Sequence, residues 1–319
     1  MLTMIAAPDD AGRRLDRLLR KALPGLPLSA IHRLLRKRQV LLDGKPTDAS
    51  ARVGAGAIIT VMAPDTISRP VTALTTEPRQ TSGTRSPAQV ALTAESILWQ
   101  GNGLLILNKP AGLPTHGADS LETRARAFLA DKLPPSLSFK SGPLHRLDTP
   151  TSGVIVFSTS LEGARYFSAL IREQRVRKRY LALLDGHIDK PARWEDALFR
   201  DKAAKKTRVV EAGAAPDTKL LRARTVVYPL AVNAGCSLVM VEISTGKTHQ
   251  IRAQAAFHGY PLLGDRKYGG NARAGGLLLH AYSLEFSSPS GEALVIKAPL
   301  PRAFYRYISA HFGACPDLP

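Results

Sequence analysis

The chain has 319 residues, 44% of them apolar, which suits two or three domains with real cores and excludes a disordered polymer. A formal net charge of +18 points to a polyanionic partner, nucleic acid first. Two distant cysteines, Cys236 and Cys315, exclude a disulfide framework and a cysteine-held zinc, and no run of about 18 apolar residues exists to cross a membrane. The opening MLTMIAAPDD has no charged leader, so a soluble cytoplasmic protein is expected.

Residues 11–22 place Leu15, Leu18, Leu19 and Ala22 on one face at helical spacing, with Arg13, Arg14, Arg17, Arg20 and Lys21 around the rest. Pro24 stops that helix. Ser29 is expected to cap a second helix through Ile31, Leu34 and Leu35, whose other side shows Arg33, Arg36, Lys37 and Arg38. Val40–Leu42 reads as a strand, Asp43-Gly44 as a tight turn and Ile58–Val61 as a second strand. This predicts a small basic α/β domain over 1–64, with 11 Lys and Arg against 5 Asp and Glu. A one-sided basic helix suits phosphate contacts, although a solvated charged face would carry the same residues. Residues 65–94 are rich in Pro, Thr, Ser, Gly and Arg and read as a linker.

From residue 95 to 319 the pattern is globular. Ile97–Trp99 and Leu104–Leu107 form a predicted hairpin around Gly101-Asn102-Gly103, and the loop NKPAGLPTH follows with Lys109 and His116 as polar candidates. After a helix through Leu121, Ala125, Phe128 and Leu129 comes HRLDTPTSG, running into Val154-Ile155-Val156-Phe157. An apolar β-branched run bounded by Pro and Gly is a buried strand, so the polar group before it lies on a loop at the mouth of a sheet. Asp148 is the one carboxylate in that stretch, and an Asp before Pro150 also suits a simple turn. Leu161–Arg172 is a predicted helix. Arg175–Leu183 alternates basic and apolar residues into Tyr180 and reads as a strand. Residues 199–210 make a basic loop or hairpin tip. Strands are expected around Ala223–Tyr228 and Leu238–Ile243, and a helix runs on from His249 in STGKTHQIR.

HRLD followed by TSG resembles the signature of the RluA-type pseudouridine synthases. NKPAGLPTH, Lys178-Arg179-Tyr180, TGKTHQIR and GYPLLGDRKYG match further family stretches, and LSAIHRLLRKRQVLLDGKP resembles the ribosomal-protein-type RNA-binding domain that often precedes the family's catalytic part. The resemblance implies an α+β fold: a pseudouridine synthase core with a mixed, largely antiparallel sheet and flanking helices, behind a small α/β RNA-binding domain. It implies an isomerase that turns uridine in RNA into its carbon-linked isomer, with large-subunit ribosomal RNA as substrate and transfer RNA as the alternative. Asp148 is then the catalytic residue, Tyr180 stands beside it, and Arg252 pairs with it across 104 positions of sequence. Arg146 and Lys247 fall to substrate binding in the same way, joined by Arg33, Arg36, Lys37, Arg38, Lys109 and His116. Lys247 stands where the family commonly has Arg, Gln254 and Ser288 where many relatives have His.

The chemistry fits these residue types. A carboxylate that meets a sugar or base must be ionised, burial opposes that, and a guanidinium fork offsets the burial. An isomerisation needs no redox cofactor, nucleotide or metal, and neither a Walker loop nor a GxGxxG stretch is present. The histidines His116, His145, His249 and His280 have no metal-site spacing, and Ser152 lacks a GxSxG elbow. The remaining rival is a non-catalytic ribosome assembly factor on the same fold. A monomer that binds RNA, without membrane or metal, is the expectation.

Overall fold

The structure is a computed structural model that describes residues 1–62, 92–133, 135–210, 220–233, 235–313 and 318. Most of the expected linker, from 65 to 91, and Cys315 lie outside the described residues. The chain divides into two compact units. Met1–Ala91 is grouped with Arg126–Ser141 and Thr159–Glu162, while Leu92–Ala125, Gly142–Ser158 and Gly163–Pro319 make the second.

The first unit begins with β1 (Leu2–Ile5), followed by helices α1 (Leu15–Ala22) and α2 (Leu28–Arg36). Strands β2 (Val40–Leu42), β3 (Lys45–Pro46) and β4 (Ile58–Val61) complete an antiparallel sheet in the order β1-β4-β2-β3. The helical spacing of Leu15, Leu18, Leu19 and Ala22 becomes the buried stripe of α1, which packs with Ile31 and Leu35 on Val40, Ile59 and Val61. Strand β1 has no strong sequence signal, because only Met4 of its four residues is buried. Ser29 does not cap α2: Pro27 is the N-cap, and Ser29 falls inside the first turn. Asp43 and Gly44 both take positive φ, as a two-residue hairpin turn requires. Asp10 ties later segments into this unit. Its buried carboxylate accepts hydrogen bonds from Ala7 N, Leu137 N, Ser138 N and the Ser136 and Ser138 hydroxyls.

The second unit is built on one sheet. In chain order it holds β5 (Ile97–Gly101), β6 (Leu104–Lys109), α3 (Leu121–Leu129, shared with the first unit), β7 (Gly142–Pro143), β8 (Ser152–Ser158) and α4 (Leu161–Arg172). Then come β9 (Arg177–Asp185), β10 (Ala192–Asp201), β11 (Lys206–Val210), β12 (Leu221–Val232), β13 (Cys236–Ile243) and α5 (Gln250–Phe257). The last elements are β14 (Leu279–Ser287), β15 (Ala293–Lys297) and α6 (Arg302–Phe312). The strands order as β11-β10-β12-β13-β9-β14-β8-β6-β5, with β15 on β14 and β7 on β8. Among the described residues β8 and β14 make the single parallel pairing, at Ser152–His280 and Gly153–Ala281. The architecture is the expected α+β one, with a mixed, largely antiparallel sheet.

Strand β8 is buried along its whole length, which is why Val154–Phe157 reads as an unbroken apolar run. Gly153 is required there: its φ is 112°, and a Cβ would lie 2.1 Å from Ala281 O. The loop before β8 carries Asp148, and the long strand β9 carries Tyr180 two residues beyond Lys178. Helix α5, packed on β10 and β11, delivers Arg252.

Candidate active site

Asp148 is the last residue before a turn in which Thr151 N donates to Asp148 O at 3.0 Å. The backbone makes the turn, while the carboxyl group points away from it toward Arg252. Its side chain is 14% exposed and walls a small cavity of about 60 Å³ shared with Arg146, Thr151, Tyr180, Lys247, His249 and Arg252. Arg252 Nη1 donates to Asp148 Oδ2 at 3.2 Å. The residues 104 positions apart in sequence thus meet.

Arg252 does not float. Its Nε and Nη2 make a bidentate pair with Asp265, at 2.7 and 2.8 Å, and Asp265 is 2% exposed. The fork is locked on one carboxylate and offers its remaining nitrogen to the other. The neighbouring Gly264 has φ 79° and sits against Gly276 O, where a Cβ would lie at 1.8 Å, so the GYPLLGD stretch can bring Asp265 in. Burial alone would lower the pKa of the Arg252 guanidinium. The two carboxylates outweigh that and raise it.

His249 adds a second group at the carboxylate. It caps α5 in the left-handed region, with φ 56°, and this turns its ring inward. Its Nε2 lies 3.7 Å from Asp148 Oδ2, and its Nδ1 lies 2.8 Å from the Tyr268 hydroxyl, which accepts from Thr207 N at 2.9 Å. A tautomer with Nδ1 accepting from Tyr268 puts an N–H, rather than a lone pair, opposite Asp148. Burial lowers the His249 pKa to about 4, with Asp148 raising it and Arg252, Arg200 and Lys267 lowering it further, so the ring is neutral at pH 7. Tyr180 is 9% exposed. Burial, then the charge of Asp148, pushes its phenol up, so it stays protonated.

The other expected residues divide. Arg146 is exposed and Lys247 half-buried, both at the cavity. His116 is exposed and pairs with Glu122 at 2.9 Å, away from the cavity lining. Arg33, Arg36, Lys37 and Arg38 stand exposed at the end of α2 in the first unit. Lys109 corrects the expectation of an RNA contact. It is fully buried, and its ammonium donates to Pro110 O, Leu113 O and Thr149 O, which uses all three donors. It clamps its own loop to the one that carries Asp148. Burial lowers its pKa to about 8, with Asp148 pulling it back up.

The RNA pseudouridylate synthase model matches residues 103–257, and the S4 domain model matches residues 13–59. A protein named ribosomal large subunit pseudouridine synthase C from Vibrio cholerae is 32% identical over 302 residues, covering 92% of this chain and 91% of its own. Its namesake from Escherichia coli K12 is 30% identical over 93% of this chain and 92% of its own. The chain belongs to the RNA pseudouridylate synthase family. A solved structure, human RNA pseudouridylate synthase domain containing 4, superposes with a TM-score of 0.56 at 26% identity, covering 70% of this chain and 95% of that one. The protein is thus an RNA pseudouridine synthase, an isomerase that acts on RNA.

For an RNA pseudouridine synthase the rival assignments also gain a physical reading. Ser152 Oγ and His280 Nδ1 lie 2.8 Å apart, but both residues are buried between β8 and β14, where no substrate reaches. His145 Nε2 accepts from Val156 N, so that ring is committed away from Asp148. Sequence reasoning did not single out His249, Asp265 and Tyr268 as site residues, although they lie in the stretches THQ and GDRKY that it quoted. The usable signal was Asp265 itself: an arginine that is to point at one carboxylate needs a second anchor to hold its direction.

Proposed function

We propose that this synthase isomerises uridines of large-subunit ribosomal RNA, with Asp148 as the catalytic carboxylate. The observation that carries the reading is Arg252, held by Asp265 and donating its free nitrogen to Asp148 in a small cavity beside Tyr180. The names of the curated relatives support the substrate. The isomerisation breaks the N1–C1′ bond and joins C5 to C1′; the C5 proton leaves and N1 takes one up. Asp148 accepts a hydrogen bond from Arg252 at 3.2 Å and meets the extruded nucleoside. Tyr180 offers a ring face to the base, and Arg146 fills the space it left, which offsets part of the unstacking cost of a few kcal/mol.

Under this reading residues 1–64 are an RNA-binding domain whose Arg33, Arg36, Lys37 and Arg38 contact phosphates without choosing sequence, residues 65–94 link it to the core, and residues 95–319 are catalytic. His116, exposed on its loop, and Lys247 contact RNA near the site. The protein works as a monomer in the cytoplasm and needs no metal. Carbodiimide mapping of RNA from wild-type and gene-deleted cells tests the substrate. One or more pseudouridines are expected to vanish from large-subunit ribosomal RNA. Loss confined to transfer RNA would replace the substrate, and an unchanged map in both would leave the assembly-factor reading.

A further inference from the structure

A second cavity of about 430 Å³ adjoins the one at Asp148. The two share Arg146, Tyr180, Ile243, Gly246 and Lys247 as a common wall. The second is lined by four basic residues, Arg146, Arg172, Lys178 and Lys247, and by no carboxylate. We propose that this cavity is a subsite for a backbone phosphodiester of the substrate RNA next to the uridine at Asp148, with Lys178 as its principal ligand.

Strand alternation explains why Lys178 is left for this task. Arg177 and Arg179 point to one face of β9, where Arg177 pairs with Glu242 and Glu285 and Arg179 pairs with Glu242. Lys178 points to the other face, the same one as Tyr180. Among the described residues its ammonium has no ion pair and no hydrogen bond, although it is half-buried. A desolvated cation without a partner is costly unless an anion completes it. Burial lowers the Lys178 pKa, in keeping with that missing counter-ion. The ammonium lies against the backbone of Gly246, whose missing Cβ would stand 3.7 Å from Nζ. A side chain there would stand over the ammonium.

The titratable neighbours do not supply the anion. His145 is pushed down to about 3 by burial and then by Lys178, so it is neutral, and Tyr180 stays a phenol. Ser244 and Thr245 add small polar groups to the wall. Because the two cavities share these residues as a common wall, a phosphodiester here can belong to the same RNA strand as a nucleoside at Asp148. That continuity favours an RNA phosphodiester over a free phosphate. The assignment rests on the reading of Asp148 as the uridine site.

The test uses the full chain and an unmodified transcript of large-subunit ribosomal RNA, with wild type, Lys178→Met and Lys178→Arg, each checked for an unchanged melting temperature. Lys178→Met is expected to weaken binding about tenfold and to reduce the log–log salt slope by about one. Turnover should lose more in KM than in kcat, and Lys178→Arg should restore the slope. An unchanged slope and affinity in folded Lys178→Met would overturn the proposal, as would a fall in kcat with the slope intact, which marks a structural role. Uridine monophosphate binding that Lys178→Met abolishes, with the RNA slope unchanged, would assign the cavity to a free nucleotide instead. If wild type fails to isomerise the transcript, the substrate reading fails, while the slope on the same RNA still reports the subsite.

Discussion

At the residue scale the site is a chain of dependence: Asp148 is set by Arg252, and Arg252 by Asp265. The cavity is small and its walls are mostly buried, so each of these interactions acts with little solvent screening. Asp148→Asn keeps the shape and removes the charge. It should lower kcat by about 10⁴-fold or more, with RNA binding within about threefold of wild type. Arg252→Lys keeps a charge but loses the fork, which can no longer hold Asp265 and reach Asp148 together. About a hundredfold loss in kcat is expected, read in a single-turnover pseudouridine assay at saturating RNA. Wild-type activity in Asp148→Asn would remove Asp148 from the chemistry, and in Arg252→Lys it would show that the fork is not needed.

At the scale of elements, the loop that carries Asp148 is held by packing from two sides. Thr115 Oγ1 donates to Leu147 O at 2.9 Å, and Lys109 donates to Thr149 O at 3.1 Å, so the residues on either side of Asp148 are both anchored, one from the end of β6 and one from the loop after it. Lys109→Met would leave three carbonyls without that donor. A loss of about 2–3 kcal/mol in unfolding free energy is expected from urea titration, with a lower kcat from a looser Asp148. Wild-type stability in this variant would show that the clamp contributes nothing. The expectation that Lys109 touches RNA came from its place in a Pro- and Gly-rich loop, which sequence patterns assign to the surface. The residue instead continues β6 into the core, and only its three carbonyl partners make its burial tolerable.

For the whole molecule, several buried groups tie stability to pH in separate windows. His145 is lowered to about 3, and His249 and His280 to about 4, each chiefly by burial, from an ordinary value of 6.5. Below about 6.5 the unfolded chain takes up protons on these rings and the folded chain does not, so stability of the second unit falls as pH drops toward 4. About 1.5 kcal/mol per ring is expected between pH 6.5 and pH 5, read as a shift of the urea midpoint. A flat profile over that range would contradict their neutral burial. Asp10 behaves differently. Burial would raise its pKa, but hydrogen bonds from Ser138, Leu137, Ala7 and Ser136 outweigh that and lower it, so its contribution to the first unit persists down to about pH 3.8 and is lost below.

What the amino-acid order determined by itself is the local part. Apolar spacing set α1, α2 and α4, the turn residues set the hairpins at Asp43-Gly44 and Asn102-Gly103, and the unbroken run Val154–Phe157 announced a buried strand. Those features depend on neighbours within a few positions, so they are written in short windows. The motif residues marked Asp148, Tyr180 and Arg252 as candidates without showing that they touch. The tertiary structure decided the rest: that Arg252 is shared between Asp148 and Asp265, that His249 turns inward from a left-handed cap, that Lys109 is spent on carbonyls, and that Lys178 faces a cavity without a counter-ion. Direction and burial come from elements far apart in sequence that the sheet brings together, and side-chain charge acts according to what surrounds it.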